Sequence, residues 1–227
     1  MTSIPRPLLV IALATTFLMT GGILLPGSAN AVNVNSAPIV FTNGQGDPDI
    51  GVGAGVGFSH RYDNVVTVGG VSIDAIVSVI SVTGIDRDDN HANGANNLLD
   101  ELDENGSGGD AIKLNLDVFG LDGVSEDTNF QGEAVIRVAF VQDGLSTAAT
   151  LQNVVINVKD IDNNQFVEFP GITSYLLSNP TDLNVATNTT HPNLVPAGST
   201  RFFEPLGNPS QSTDEQHWAQ ISFSQLT

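Results

Sequence analysis

The sequence predicts an all-β protein, an antiparallel β-sandwich of about eight to ten strands with a long acidic loop. Short runs from Val65 onward alternate apolar with polar residues, which is the pattern of strands with one buried face. Turn-forming pairs such as Asp143-Gly144 and Pro170-Gly171 separate these runs. The runs do not alternate with helical patterns as a parallel βαβ sheet requires, so antiparallel pairing is predicted.

Residues 1–31 have the pattern of a secretory signal peptide. Arg6 gives a positive start, Leu8 to Leu25 form the apolar stretch, and Ala29-Asn30-Ala31 is the small-x-small pattern that signal peptidase cuts. An N-terminal membrane anchor is the alternative, because the stretch approaches spanning length. Gly21-Gly22 and the cleavage pattern favour the signal peptide, so we expect export and no membrane insertion after cleavage.

The rest of the chain is predicted to contain one domain. Residues 32–58, rich in Asn, Pro and Gly, are expected to form a flexible leader, and residues 59–227 a single β-sandwich domain. The Gly51 to Gly57 run does not match a dinucleotide-binding fingerprint. The chain contains no cysteine, which excludes disulfides and favours a bacterial origin.

The strands are predicted from period-two alternation, one after another along the chain. The first long run changes phase at Ile80, which indicates a β-bulge. The predicted strands cover residues 71–82, 112–118, 134–140, 154–158, 166–169, 174–177, 183–186, 201–203 and 219–223. Their apolar positions predict a core that contains Ile112, Leu114, Leu116, Ile136, Val138, Phe140, Ile156, Val158, Ile221 and Phe223.

The charge balance is strongly acidic, with 7 basic and 25 acidic residues and a net charge of −18. Nucleic acids are therefore not expected as partners and anionic membrane surfaces are disfavoured, because binding to both requires clustered Lys and Arg. Divalent cations are natural counter-ions for such a chain. Solubility of an exported protein is the equally weighted alternative explanation.

The densest acidic cluster lies between Asp86 and Asp127, where twelve carboxylates accompany two basic residues. Asp86, Asp88 and Asp89 can converge on one cation if the loop curls, and Ca²⁺ accepts six to eight oxygen ligands. The segment is not an EF-hand, because His91 stands where that loop requires glycine. A Ca²⁺ site here competes with the alternative of a long solvated loop.

A second acidic cluster, Asp160-Ile161-Asp162-Asn163-Asn164, lies between two predicted strands and is followed by Glu168. Asp and Asn are ordinary hairpin residues, so a tight acidic turn is the first interpretation. A cation bound by Asp160, Asp162 and Asn164 is the second.

Motifs of familiar catalytic sites are missing from the sequence. The four histidines are not spaced as zinc ligands, and no nucleophile elbow or phosphate-binding loop occurs. A glycan or ester hydrolase that uses two carboxylates stays open as an alternative. A sugar-binding module is disfavoured, because Trp218, Tyr62 and Tyr175 are the only aromatic residues besides phenylalanines and Trp218 is expected to pack at a strand edge.

Two stretches resemble the β-sandwich modules of large exported bacterial surface proteins. Residues 59–65 and 71–77 resemble their opening strands. Residues 132–140, 154–162 and 166–169 resemble their central strands and acidic hairpin. The resemblance implies a non-enzymatic adhesion, spacer or assembly module, secreted or at the cell surface, with a protein or another cell-surface component as partner.

Overall fold

A computed structural model describes residues 8–13, 31–33, 39–41, 53–84, 131–159, 161, 165–191, 195–204 and 218–227. These ranges contain strands and turns and no helix. The strands are β1 (Leu8–Leu13), β2 (Ala31–Asn33), β3 (Ser59–Val68), β4 (Val71–Thr83), β5 (Gln131–Gln142), β6 (Thr150–Val158), β7 (Gln165–Pro170), β8 (Ser174–Leu177), β9 (Asn184–Thr187), β10 (Ser199–Phe203) and β11 (Ala219–Leu226). The protein is therefore all-β, as predicted.

The strands form two sheets. The first sheet has the order β3-β4-β5-β1-β7-β10-β9, and the second has the order β2-β6-β11-β8. All pairs among β3 to β11 are antiparallel, which confirms the predicted strand direction there. The predicted strand at residues 112–118 and the predicted long acidic loop both lie outside the described residues.

Two short strands depart from the antiparallel expectation. β1 pairs parallel with β5 on one side and with β7 on the other, and β2 pairs parallel with β6. The β1 sequence, Leu-Leu-Val-Ile-Ala-Leu, is apolar throughout. Such a run suits a central strand between two neighbours, where both faces of the sheet are covered. β1 lies within residues 1–31, the segment predicted to be a signal peptide.

The two sheets contact each other through aromatic rings. Phe169 of β7 and Phe223 of β11 pack edge to face with ring centroids 6.1 Å apart, and Tyr175 of β8 packs on Phe202 of β10 at 5.2 Å. Edge-to-face packing at this distance is favourable. Buried side chains from both sheets belong to one hydrophobic cluster.

The predicted core positions behave as expected wherever they are described. Ile136, Phe140, Ile221 and Phe223 are buried, and the partly buried Val138, Ile156 and Val158 pack against the same cluster. Ile112, Leu114 and Leu116 lie outside the described residues.

Bulges interrupt the pairing of β4 on both of its sides. The register with β5 shifts between Val79 and Ser81, which confirms the bulge predicted at Ile80. The register with β3 shifts between Tyr62 and Val66, where Asn64 has a φ of 56°. Asparagine tolerates this left-handed conformation better than most residues, which suits it to the bulge.

Parts of the expected leader contact the core. Ile39, Phe41 and Phe58 pack against the hydrophobic cluster, and the Phe41 ring meets Tyr62 edge to face at 5.3 Å. The Val40 amide donates to the Val65 carbonyl at 2.8 Å. These contacts attach residues 39–41 and 58 to the first sheet.

Candidate functional site

The five residues predicted to bind calcium lie outside the described residues. They are Asp86, Asp88, Asp89, Asp160 and Asp162. Within the ranges that the structure describes, no group of three or more His, Cys, Asp and Glu side chains is arranged to hold a metal ion. The calcium site therefore stays a prediction.

The connection that contains Asp160 and Asp162 is not a hairpin turn, so that interpretation was wrong. β6 belongs to the second sheet and β7 to the first, so the chain crosses from one sheet to the other between them. Ile161 is 1% exposed and belongs to the hydrophobic cluster. A buried isoleucine between two acidic residues fixes this crossover to the core, which the alternation pattern alone does not reveal.

Trp218 lies half-buried beside the start of β11. The Nζ atom of Lys159 lies 4.4 Å from the centre of its ring, in a cation–π contact. The ammonium group covers one face of the indole ring. This contact agrees with the expected packing role of Trp218 better than with a platform for sugar stacking.

An ion pair between Arg61 of β3 and Asp74 of β4 ties the outer face of the first sheet together. Arg61 Nε donates to Asp74 Oδ2 at 2.8 Å, and the Asp74 side chain is fully buried. The same carboxylate accepts from the Asn64 amide at 2.8 Å and from the Gly144 amide at 3.1 Å. Asp74 therefore accepts hydrogen bonds from main-chain amides of both the β3 bulge and the turn after β5.

The Arg61 guanidinium completes this cluster. Its Nη2 atom donates to the carbonyl of Gln142 at 3.3 Å and to the carbonyl of Leu145. The arginine thus holds the turn after β5 from one side, while Asp74 holds it from the other. Both groups make structural contacts to the main chain.

The pKa of Asp74 lies below its ordinary value. Burial acts to raise this pKa, but hydrogen bonds from the Asn64 and Gly144 amides, together with the hydrogen bond and charge of Arg61, outweigh burial. Asp74 is therefore ionised at neutral pH. A general acid needs the opposite shift, so the arrangement favours a structural role over a catalytic one.

A second ion pair joins β7 and β10. Arg201 donates to Glu168 Oε2 from Nε at 3.0 Å and from Nη2 at 2.8 Å, and both side chains are about nine-tenths buried. The guanidinium carbon lies 3.6 Å from the centre of the Phe166 ring. Glu168 follows the Asp160 cluster in the sequence, but its partner among the described residues is Arg201 on the neighbouring strand.

The second sheet presents an uncharged outer face. Cross-strand pairing places Val155, Ser222 and Ser174 in one row, and Asn157, Gln220 and Leu176 in the next. Alternation turns these six side chains away from the core residues of the same strands. We call them the neutral face.

The neutral face combines apolar groups with hydrogen-bonding groups. Leu176 is 67% exposed and Val155 is 49% exposed. Between them Gln220 donates to Asn157 Oδ1 at 3.0 Å, which holds the two amides in a fixed arrangement. The first sheet differs, because its outer face carries the Arg61–Asp74 and Arg201–Glu168 ion pairs.

The sequence did not identify these groups as functional or structural sites. The ion pairs could have been suspected from charged residues inside otherwise apolar strand patterns. These residues are Arg61, Asp74, Glu168 and Arg201. The signal for the neutral face was the absence of charge in residues 153–157 and 219–226 of a chain with a net charge of −18.

No protein family, curated protein or solved structure matches this chain. Among the described residues, no helix is long and apolar enough to cross a membrane.

Proposed function

We propose that this chain is an exported, non-enzymatic β-sandwich protein that acts as an adhesion or structural module at or near the bacterial cell surface. The contact between the two sheets through Phe169 and Phe223 supports the sandwich. The signal-peptide pattern of residues 1–31 supports export. The neutral face supports adhesion, and it is the observation on which the proposal depends.

A neutral face has a physical use in so acidic a protein. A net charge of −18 repels other anionic surfaces, and the repulsion is weakest where the approaching face carries no charge. Exposed leucine and valine side chains gain free energy when a partner covers them. The neighbouring amides and hydroxyls can donate and accept hydrogen bonds at the same contact. The partner is therefore expected to be an uncharged part of a protein or of another cell-surface component.

Two of the three buried carboxylates among the described residues, those of Asp74 and Glu168, are engaged in ion pairs and do not suit the catalytic pair of a hydrolase. A glycan hydrolase needs one carboxyl group that stays protonated and a second at a defined separation. Asp74 is held ionised by its donors, and Glu168 is held by a two-donor contact with Arg201. Each is used to join strands.

The test measures binding of the exported protein to envelope fragments of the producing cells by cosedimentation. Wild-type protein should sediment with the fragments, also at about 0.5 M NaCl, because contacts of a neutral face are not screened. The double variant Val155→Glu/Leu176→Glu should bind about tenfold more weakly, since it places two charges in the contact.

Ile80→Glu is the matched control, because Ile80 is 41% exposed but lies on β4 of the other sheet. It should bind like the wild type, and thermal unfolding should show that all variants are folded. Equal binding by the double variant would exclude the neutral face as the contact surface. Release of soluble sugars from the fragments by wild-type protein would support the hydrolase instead.

A further inference from the structure

The first sheet depends on one strand for its continuity. β1 alone joins β5 to β7 in the described sheet, with Leu8–Leu13 paired to Gln131–Ile136 on one side and to Gln165–Glu168 on the other. Without β1 the sheet divides into β3-β4-β5 and β7-β10-β9. Two strand edges that flank buried core residues would then lack hydrogen-bond partners, which is costly.

Signal cleavage after Ala31 removes all of β1 from the exported protein. This step rests on the export that we propose above. The exported chain must therefore fill the position between β5 and β7 with another strand or leave the sheet divided. We call this position the central slot.

We propose that residues 112–118 occupy the central slot in the processed protein, antiparallel to both β5 and β7. The sequence Ile112-Lys-Leu114-Asn-Leu116-Asp-Val118 alternates apolar and polar residues, as a strand with one buried face requires. Its seven residues are enough to replace the six residues of β1 that are paired with β5. It immediately precedes β5 in the chain, separated by residues 119–130, so its local concentration at the slot is high.

Strand direction supports the same occupant. β5 and β7 are both parallel to β1, so they run in the same direction as each other. Every other neighbouring pair in this sheet is antiparallel. An antiparallel strand in the slot makes the directions alternate across the whole sheet, whereas β1 is the one strand that breaks the alternation. Residues 119–130 are more than the two residues that an antiparallel hairpin needs, so they can return the chain beside β5.

A buried hydrogen-bond donor beside the slot also supports residues 112–118 as the occupant. Arg137 follows Ile136, the last residue of β5 that pairs with β1, and its buried Nε atom has no hydrogen-bond acceptor among the described residues. Buried donors are normally satisfied. The polar positions of residues 112–118 include Asn115 and Asp117, whose side-chain oxygens can accept a hydrogen bond.

The test is amide hydrogen exchange followed by mass spectrometry, on the exported product and on the full chain recovered uncut. In the exported product the amides of 112–118 should exchange about a hundredfold more slowly than in the uncut chain, where β1 holds the slot. The intact mass of the same sample reports cleavage, so a failure of export is distinguished from a failure of strand exchange.

A variant of the uncut full chain tests the exchange without cleavage. Ile11→Pro removes an amide donor from the middle of β1, and proline is not accepted in a central strand. This variant of the uncut chain should show the same protection of 112–118 that we expect in the exported product. Leu18→Pro, the same change outside β1, is the matched control and should behave as the wild type.

Side-chain variants of the exported product identify the occupant. Leu114→Asp places a charge on the buried face and should abolish the protection, whereas Asn115→Asp on the other face should leave it intact. Free exchange of 112–118 in the exported product overturns the proposal. Protection of the β5 and β7 edges that rises with protein concentration also overturns it, because a second copy then fills the slot.

Discussion

Arg61 and Asp74 form a 2.8 Å ion pair across β3 and β4, and the carboxylate is fully buried at a point where the two strands lose register. Asp74 stands between Ile73 and Ala75, the residues whose partners on β3 flank the bulge. The bulge leaves the Asn64 amide without a ladder partner, and Asp74 accepts its hydrogen bond. The bulge and the ion pair therefore stabilise each other.

Replacement of this carboxylate should make the protein less stable at neutral pH and less sensitive to acid. Because the pKa of folded Asp74 is lowered, its contribution is complete above the unfolded pKa and is lost as the pH falls through the folded pKa. Asp74→Asn should lower the free energy of unfolding by about 2–4 kcal/mol at pH 7, since it also disturbs donors to a buried group. The difference from wild type should shrink below about pH 4.

Urea unfolding at pH 7, 5 and 3 measures this difference. Asp63→Asn is the matched control, because Asp63 lies 3.9 Å from the same arginine but is 73% exposed. Its effect should stay within about 0.5 kcal/mol. A constant difference between Asp74→Asn and wild type down to pH 3 would contradict the role assigned to the ionised carboxylate.

Contact between the two sheets should be measurable as a coupling between Phe169 and Phe223. Their rings meet edge to face, and each side chain is about 4% exposed. Each change to leucine should destabilise the protein, and the double variant should lose less than the sum by about 0.5–1.5 kcal/mol. Chemical unfolding of the wild type, the two single variants and the double variant completes this double-mutant cycle. Strictly additive losses in the free energy of unfolding would show that the sheets do not meet at this pair.

A charge in the core of the first sheet should prevent folding. Ile136 is 1% exposed, and an unpaired buried charge costs several kcal/mol against a total stability of roughly 5–15 kcal/mol. Ile136→Asp should therefore lose the cooperative unfolding transition, whereas Ile136→Val should cost only about 0.5–1.5 kcal/mol. Circular dichroism during heating distinguishes the two, and a folded Ile136→Asp protein would show that the strand period was misread.

Local patterns predicted much of the strand structure. Alternation located β8 at Ser174–Leu177 with the bounds that the structure has, and the change of phase at Ile80 located the bulge in β4. Both features depend on residues within a few positions of one another, so one strand's sequence is sufficient to reveal them.

Pairing over long distances in the chain was not predictable in the same way. β6 pairs with β11 through contacts such as Ile156 with Ile221, and nothing in either strand specifies the other. The acidic connection after Lys159 has ordinary hairpin composition, yet it crosses between sheets because β6 and β7 have different partners. Arg61 reaches Asp74 only because a bulge lies between them, which composition does not specify.

The N-terminus of the exported protein should be Val32. Ala29 and Ala31 provide the small side chains that signal peptidase requires, and the helix-weakening Gly21-Gly22 pair precedes them. N-terminal sequencing of protein recovered outside the cell measures this directly. Replacement of Ala31 by a bulky residue should cause the uncut chain to accumulate, and a membrane-retained product that still begins at Met1 would support the anchor alternative.

Calcium should stabilise the protein more than magnesium does, if the acidic residues between Asp86 and Asp127 form a site. Binding to the folded state alone stabilises it by about 2.7 kcal/mol at a hundredfold excess over Kd. Extracellular calcium modules have Kd values near 10⁻⁴–10⁻³ M, so the Tm should rise at millimolar Ca²⁺. Mg²⁺ should raise it less, because it demands a small octahedral site and dehydrates reluctantly.

Substitutions separate the two predicted sites from each other and from charge screening. The triple change of Asp86, Asp88 and Asp89 to Asn should remove the calcium-specific part of the Tm shift if the first cluster binds the ion. The double change of Asp160 and Asp162 to Asn should remove it if the crossover does. Asp63→Asn controls for the loss of an exposed carboxylate. A solvated acidic loop gives equal shifts with Ca²⁺ and Mg²⁺ at matched ionic strength, because screening does not distinguish the ions, and the substitutions then leave both shifts unchanged.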